Sequence, residues 1–195
     1  MGTFKTGGDV VDGVAASGSF RATYTFEAYA LGSKRTESAE EVSANGSGVS
    51  ATTTLSAAEK LMLSGDRTWI FVKAAAAIAK GSLCKRNADT TPFTAAEDAA
   101  SETLLYDLLG VADHAIASGS YGWIICKGAC VVEAEAGVAA GDLLASDGDN
   151  TAGEVDTIAA GAGVGLKAIG IALETESASA AYAAGYVIAR IDIPS

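Results

Sequence analysis

The chain has 195 residues, 49 % of them hydrophobic, and 24 acidic against 13 basic side chains give it a formal net charge of -11. This length is enough for a hydrophobic core that folds without disulfides or metals. An acidic chain without a basic stripe for phosphates argues against nucleic-acid binding. Its apolar runs are too short to span a membrane, so neither nucleic acid nor a membrane is an expected partner.

The first 50 or so residues are rich in Gly, Ser and Thr, and one aromatic run at 19–29 (SFRATYTFEAY) predicts a strand. Such a segment has little apolar surface to bury alone. We therefore predict an extended arm that packs mainly on other chains and is not needed to complete the main domain. The predicted partner-binding residues of this arm are two basic and three aromatic side chains: Lys5, Phe20, Arg21, Tyr24 and Phe26.

A short helix is predicted at 57–64, where the arm meets the main domain. Ser56 and Glu59 have capping-box spacing, apolar residues follow, and Gly65 is suited to end the helix. This helix completes an N-terminal region at 1–65, which precedes a β-rich domain at 66–195.

Three later segments share one pattern, an aromatic residue followed by apolar residues and a basic one. They are WIFVK at 69–73, WIICK at 123–127 and YVIAR at 186–190. Each is typical of a buried strand. The pattern predicts that Trp69 and Trp123 occupy equivalent places in an internal repeat.

Other pieces recur between these strands at a constant offset of 60 residues. Residues 79–83 match 139–143, and 109–112 match 169–172. We predict two diverged units, about 66–122 and 123–195, in which the middle aromatic strand closes the first unit and opens the second. Two units are too few for a solenoid.

The repeat also bears on residues 102–109 (ETLLYDLL), whose spacing fits either an amphipathic helix or a strand. Their counterpart at 163–171 is rich in glycine and β-branched residues, which form poor helices. Both are therefore predicted as strands. Frequent turn signals between strands predict an all-β fold, a sandwich or a barrel.

No motif predicts catalysis. Cys84, Cys126 and Cys130 lack disulfide or zinc spacing and are expected to be buried thiols. His114, the one histidine, is expected in an exposed loop with no nucleophile motif around it. We expect no enzyme, no catalytic residue and no cofactor.

Two weaker motifs favour ordinary loops. The acidic group Asp147, Asp149, Glu154 and Asp156 has Ala152 where a calcium loop needs glycine, so we expect an acidic hairpin and no metal site. Residues 163–168 (GVGLKA) match a loose dinucleotide fingerprint but lack the strand and helix on either side that it requires.

The second unit resembles the small decoration (cement) proteins of tailed-phage capsids. The likeness rests on GACVV at 128–132, a Gly-Val-x-x-Gly-Asp motif at 137–142, Gly-Ile-Ala-Leu-Glu at 170–174 and a closing strand at 185–191. It covers about 121–195 well, 66–120 weakly and the arm not at all.

The resemblance implies a β-rich subunit, usually a homotrimer, that binds the major capsid protein on the outer surface of the virion and has no catalytic residues. A trimeric fibre, spike or adhesin-type module that binds a host surface is the alternative. Trimeric stalk repeats or an exposed aromatic patch would favour that alternative.

Overall fold

Ten strands and two short helices form the described part of the computed structural model, which comprises residues 20–45, 57–87, 91–98, 105–146, 151–158, 168–176 and 185–194. The helices are α1 (Ala39–Asn45) and α2 (Ala57–Ser64). The strands are β1 (Lys34–Glu37), β2 (Arg67–Ala74), β3 (Leu83–Arg86), β4 (Thr94–Glu97), β5 (Leu108–Val111), β6 (Tyr121–Glu133), β7 (Leu143–Ser146), β8 (Val155–Thr157), β9 (Gly170–Ala172) and β10 (Tyr186–Asp192). The all-β prediction is confirmed. Neither helix is long and apolar enough to cross a membrane.

Five strands close into a first barrel in the order β2-β4-β3-β5-β6, with β6 pairing back to β2. Inward residues of these strands form one apolar cluster, which includes Ile70, Val72, Ile124 and Leu109. The cluster follows the period-2 alternation of a strand, because every second residue points to the same face of the sheet.

A second barrel reuses β6 and continues β6-β10-β9-β7-β8. A parallel bridge between Ala134 and Val155 returns β8 to β6 and closes it. With 13 residues, β6 is long enough to serve both barrels. Gly128, near its middle, has φ +116°, and a Cβ there would lie 2.6 Å from the carbonyl oxygen of Asp66. Only glycine fits this crossing.

The strand registers show the predicted internal repeat directly. Leu83 pairs with Val111 in the first barrel, and Leu143 pairs with Ile171 in the second, each 60 residues later. In the same way, Cys84 pairs with Gly110, and Leu144 with Gly170. The equivalence of Gly110 and Gly170 is therefore confirmed.

The predicted equivalence of Trp69 and Trp123 is wrong. Ala74 pairs in parallel with Ala95, and Ala134 with Val155, so β2 corresponds to the C-terminal half of β6 and Trp69 to Ala129. The N-terminal half of β6 corresponds instead to β10.

The match between β6 and β10 follows from the strand that each one closes. Val111 of β5 pairs with Ile125, and Ile171 of β9 pairs with Arg190, so the offset here is 65 residues. Trp123 therefore corresponds to Ile188. The sequence pattern failed because β6 belongs to both barrels. Its N-terminal half closes the first barrel as β10 closes the second, and its C-terminal half opens the second barrel as β2 opens the first. The aromatic motif marks a strand but does not distinguish these two positions.

The predicted strand at 19–29 is also wrong. Phe20 and Arg21 lie in a 3-10 turn, and Tyr24 makes an isolated bridge with Tyr121. The segment crosses the outer face of the first barrel instead of extending an edge, so it is held mainly by side chains. The prediction missed β1 and α1, although Ser38 and Glu41 form a capping box at the start of α1.

Of two other local predictions, one is confirmed and one is partly correct. The helix predicted at 57–64 is confirmed as α2. In the ambiguous segment at 102–109, residues 105–107 form a 3-10 turn and the strand begins only at Leu108, while 102–104 lie outside the described residues. Leu105 packs against the core that the turn borders, which accounts for the apolar spacing.

Candidate interaction surfaces

The described part of the arm at 20–29 lies on an aromatic face of the first barrel. Phe20 is 3 % exposed and stacks on Trp69, with ring centroids 5.0 Å apart, and meets the edge of Trp123 at 5.6 Å. Tyr24 and Tyr29 both pack against Phe71. These contacts make the arm part of the core of its own chain.

Polar contacts fix the same segment. The Arg21 Nε donates to Asp113 Oδ2 at 2.5 Å, and its guanidinium lies 5.8 Å from the centre of the Trp69 ring. Further along, the Trp69 Nε1 donates to the buried Glu37 Oε2 at 3.0 Å, and Arg67 lies 3.9 Å from that carboxylate. The prediction that the arm packs mainly on other chains and leaves the main domain complete is wrong for residues 20–37, because this domain buries Phe20 and Glu37.

The predicted partner-binding residues therefore divide. Phe20, Arg21 and Tyr24 contact their own chain, whereas the Phe26 side chain is 66 % exposed. Lys5 lies outside the described residues. Phe26 is the member of the set that the described structure leaves open to a partner.

A groove of about 950 Å³ separates the second barrel from the end of the first. One wall holds Leu143 and Ile171, paired neighbours on β7 and β9 that are 40 % and 37 % exposed. The sequence analysis missed this surface. The signal was present: these residues are the repeat equivalents of Leu83 and Val111, both fully buried.

Charged side chains also line this groove. Asp66 lies where the chain enters β2, Lys127 lies on β6, and Arg190 and Asp192 lie on β10. The Lys127 Nζ donates to Asp192 Oδ2 at 2.9 Å in an exposed pair. Two cations and two anions thus surround the apolar pair.

The junction between the barrels carries a carboxylate whose pKa is raised, Glu133. The Ser82 hydroxyl lies 3.3 Å from both Glu97 Oε1 and Glu133 Oε2, and desolvation, opposed by the Ser82 hydrogen bond, raises the pKa of Glu133. Because desolvation is the larger influence, the fold favours the neutral form of Glu133.

The candidate chemical groups are buried or outside the described residues. Desolvation raises the pKa of Cys130 to about 12 and that of Cys84 further, so both thiols are protonated at neutral pH. All three cysteines are buried, as predicted.

His114 differs from its prediction. Both ring nitrogens are buried, and desolvation lowers the pKa of His114. The predicted loop is confirmed, because His114 lies in a bend, but its predicted exposure is wrong, because the ring lies against Gly122 of β6.

The predicted acidic hairpin and the glycine-rich motif fall largely outside the described residues, at 147–150 and 163–167. Glu154 and Asp156 lie within the described residues, and Asp156 Oδ1 accepts a hydrogen bond from the backbone N of the next residue, Thr157. Within the described ranges, no group of three or more His, Cys, Asp or Glu side chains is placed to hold a metal.

Among known proteins, similarity to this chain is found in solved structures. No protein-family model matches the chain, and no curated protein matches it. Among solved structures it is similar to the head fiber gp8.5 N base in bacteriophage phi29, with a TM-score of 0.42 and 16 % identity. The similarity covers 64 % of this chain and 92 % of that chain.

Proposed function

We propose that this chain is a structural, non-enzymatic protein of a tailed-phage head that binds the major capsid protein on the outer capsid surface and stabilises the head. Its proposed location is the virion, and its proposed working form is a homotrimer. Binding and not chemistry is its proposed activity.

The observation that carries the proposal is where the capsid-decoration motifs fall. The Gly-Val-x-x-Gly-Asp turn at 137–142 packs against the Gly-Ile-Ala-Leu-Glu strand at 170–174, since the Gly141 N donates to the Ala172 oxygen at 2.9 Å. Asp142 Oδ2 accepts from the Ala139 N at 2.8 Å, within the turn. The resembling pieces thus form one barrel.

The motif residues also bind this barrel's closing strand. Glu174 Oε1 accepts from the Ile188 N at 3.2 Å, and the Leu173 N donates to the Ile188 oxygen at 2.8 Å. These residues hold the fold together, as expected of a family whose shared residues serve structure. A stable β subunit repeated over a lattice suits a role in which many weak contacts act together.

The proposed capsid contact includes the arm. Phe26 is a large, exposed aromatic on a segment that is otherwise fixed to its own barrel, and such residues anchor interfaces. Lys5 is proposed to meet acidic groups of the shell. Arg21 belongs instead to the contact with Asp113.

The test is cosedimentation of the purified full chain with empty heads of the phage that encodes it. We expect saturable pelleting at a fixed ratio to the capsid protein, and heads that resist heating better when decorated. No pelleting at micromolar concentrations would contradict the proposal. Pelleting with host cells but not with heads would favour the fibre or adhesin alternative.

A matched pair of variants separates the arm contact from general stickiness. Phe26→Ser removes the exposed aromatic of the arm, and Tyr106→Ser removes an equally exposed one, 65 % accessible, beside β5. We expect Phe26→Ser to weaken head binding at least about 30-fold, the scale of an interface hot spot. Equal binding by the two variants would remove Phe26 from the contact.

A further inference from the structure

The internal repeat allows each outer face of one barrel to be compared with its equivalent on the other. Leu83, Val111 and Ile125 form one such face of the first barrel, and all three are fully buried. The equivalent face of the second barrel consists of Leu143, Ile171 and Arg190. Its two apolar residues keep their character yet are more than one third exposed.

The first barrel's face is covered by another barrel. The Leu83 N donates to the Gly153 oxygen at 2.7 Å, and the Glu133 N donates to the Gly81 oxygen at 2.9 Å. The ring of Tyr186 packs so closely on Gly81 that a Cβ there would lie 2.5 Å from it. At Gly141, the equivalent of Gly81, a Cβ would meet no atom of the described residues within 4 Å.

The charges beside this open face are balanced. Asp66 and Asp192 oppose Lys127 and Arg190 around the groove, whereas the chain as a whole has a net charge of -11. Two copies approaching elsewhere would meet net repulsion. Here each copy offers both signs, which suits a surface that binds a second copy of itself.

We propose that the face formed by Leu143, Ile171 and Arg190 is the contact through which copies of this chain associate. The second barrel covers Leu83 and Val111 of the first barrel within one chain. We expect a second copy to cover the equivalent residues, Leu143 and Ile171, in the same way. The contact between copies cannot repeat every hydrogen bond of the internal junction. In the junction the Glu133 N donates to the Gly81 oxygen, whereas its repeat equivalent, the Lys73 N, already donates to the Phe93 oxygen. This contact rests on the self-association included in the proposed function, whereas head binding is tested separately by cosedimentation.

The test is sedimentation velocity of the purified full chain over a wide concentration range. The wild type is expected to associate, and the double variant Leu143→Glu/Ile171→Glu to associate at least about 30-fold more weakly, because two carboxylates would have to lose water at the centre of the contact. Arg190→Glu changes an exposed residue and leaves the apolar pair intact. It is expected to weaken association because it replaces one of the two cations of the face with an anion, and it tests the proposal if the double variant does not fold.

The matched control is Tyr106→Glu/Ala117→Glu, which adds the same two charges at exposed positions of the first barrel. It is expected to associate like the wild type. A wild type that is monomeric at all concentrations overturns the proposal, and so does equal weakening by the control. Loss of head binding by a monomeric Leu143→Glu/Ile171→Glu variant, with a monomeric wild type, would assign the face to the capsid instead.

Discussion

Equivalent outer faces of the two barrels are covered by different elements of the chain. On the first barrel this face carries three aromatic residues: Trp69, Phe71 and Trp123. At the equivalent positions of the second barrel stand three smaller residues: Ala129, Val131 and Ile188. The extended arm covers the first face, and α2, through Ala58 and Met62, covers the second.

The difference follows from the thickness of the covering element. A helix is about 10 Å wide with its side chains, so it packs closely only where the sheet beneath offers small residues. An extended segment brings little volume of its own, so large rings must fill the space between it and the sheet. The same barrel architecture can therefore be covered by a helix or by an extended segment, provided that the side chains beneath the covering element have the matching size.

The largest expected effect is at the arm. Phe20→Ala should lower the free energy of unfolding by about 3–5 kcal/mol, the usual loss for a buried phenylalanine, because both tryptophan contacts disappear. Chemical denaturation measures this. Phe26→Ala, in the same segment but exposed, is the control and should change it by less than about 0.5 kcal/mol. Equal small losses would mean that the arm does not stabilise the barrel.

A smaller effect is expected at two equivalent glycines, both with φ near +90°. Gly141→Ala should cost only the strain of a left-handed residue, about 1–2 kcal/mol. Gly81→Ala carries the same strain and also displaces the Tyr186 ring at the barrel junction, so it should cost at least about 1 kcal/mol more. Equal melting temperatures for the two variants would show that the junction yields easily.

The smallest effect concerns pH at the same junction. The pKa of Glu133 is raised in the folded chain, so folding favours its neutral form, and its contribution is greatest in acid and is lost as pH rises through the raised pKa. Glu133→Gln should therefore raise the melting temperature at pH 7 to 8 and leave it unchanged at about pH 3, below the ordinary carboxyl range.

The control for this prediction is Glu27→Gln, at an exposed position of the arm. It removes the same charge without touching the junction and should leave the melting temperature nearly unchanged at both pH values. A stabilisation of Glu133→Gln that persists in acid would contradict the titration of Glu133 as its cause.

Much of the repeat was predictable, whereas the candidate surfaces were not. The 60-residue offset at 79–83 and 109–112 reappears in the strand registers because recurring turns and strands keep the same hydrogen-bond partners. The equivalence predicted for Trp69 and Trp123 was wrong because similar motifs occur in β2 and in the N-terminal half of β6, which are not equivalent in the two barrels. Leu143 and Ile171 look like core residues in sequence, since apolar character on a strand does not reveal whether a neighbour covers it.

The sequence by itself determined the three strands with an aromatic start (within β2, β6 and β10), the spacing between the two units and the buried thiols, because alternation and turn residues act within a few positions of the chain. Only the tertiary structure decided that β6 is shared, that residues 20–37 belong to their own domain and that one apolar face stays open. Those outcomes depend on which distant segments meet, such as Phe20 with Trp69 and Trp123. Contact between distant segments is set by shape and volume across the whole fold, which no local pattern records.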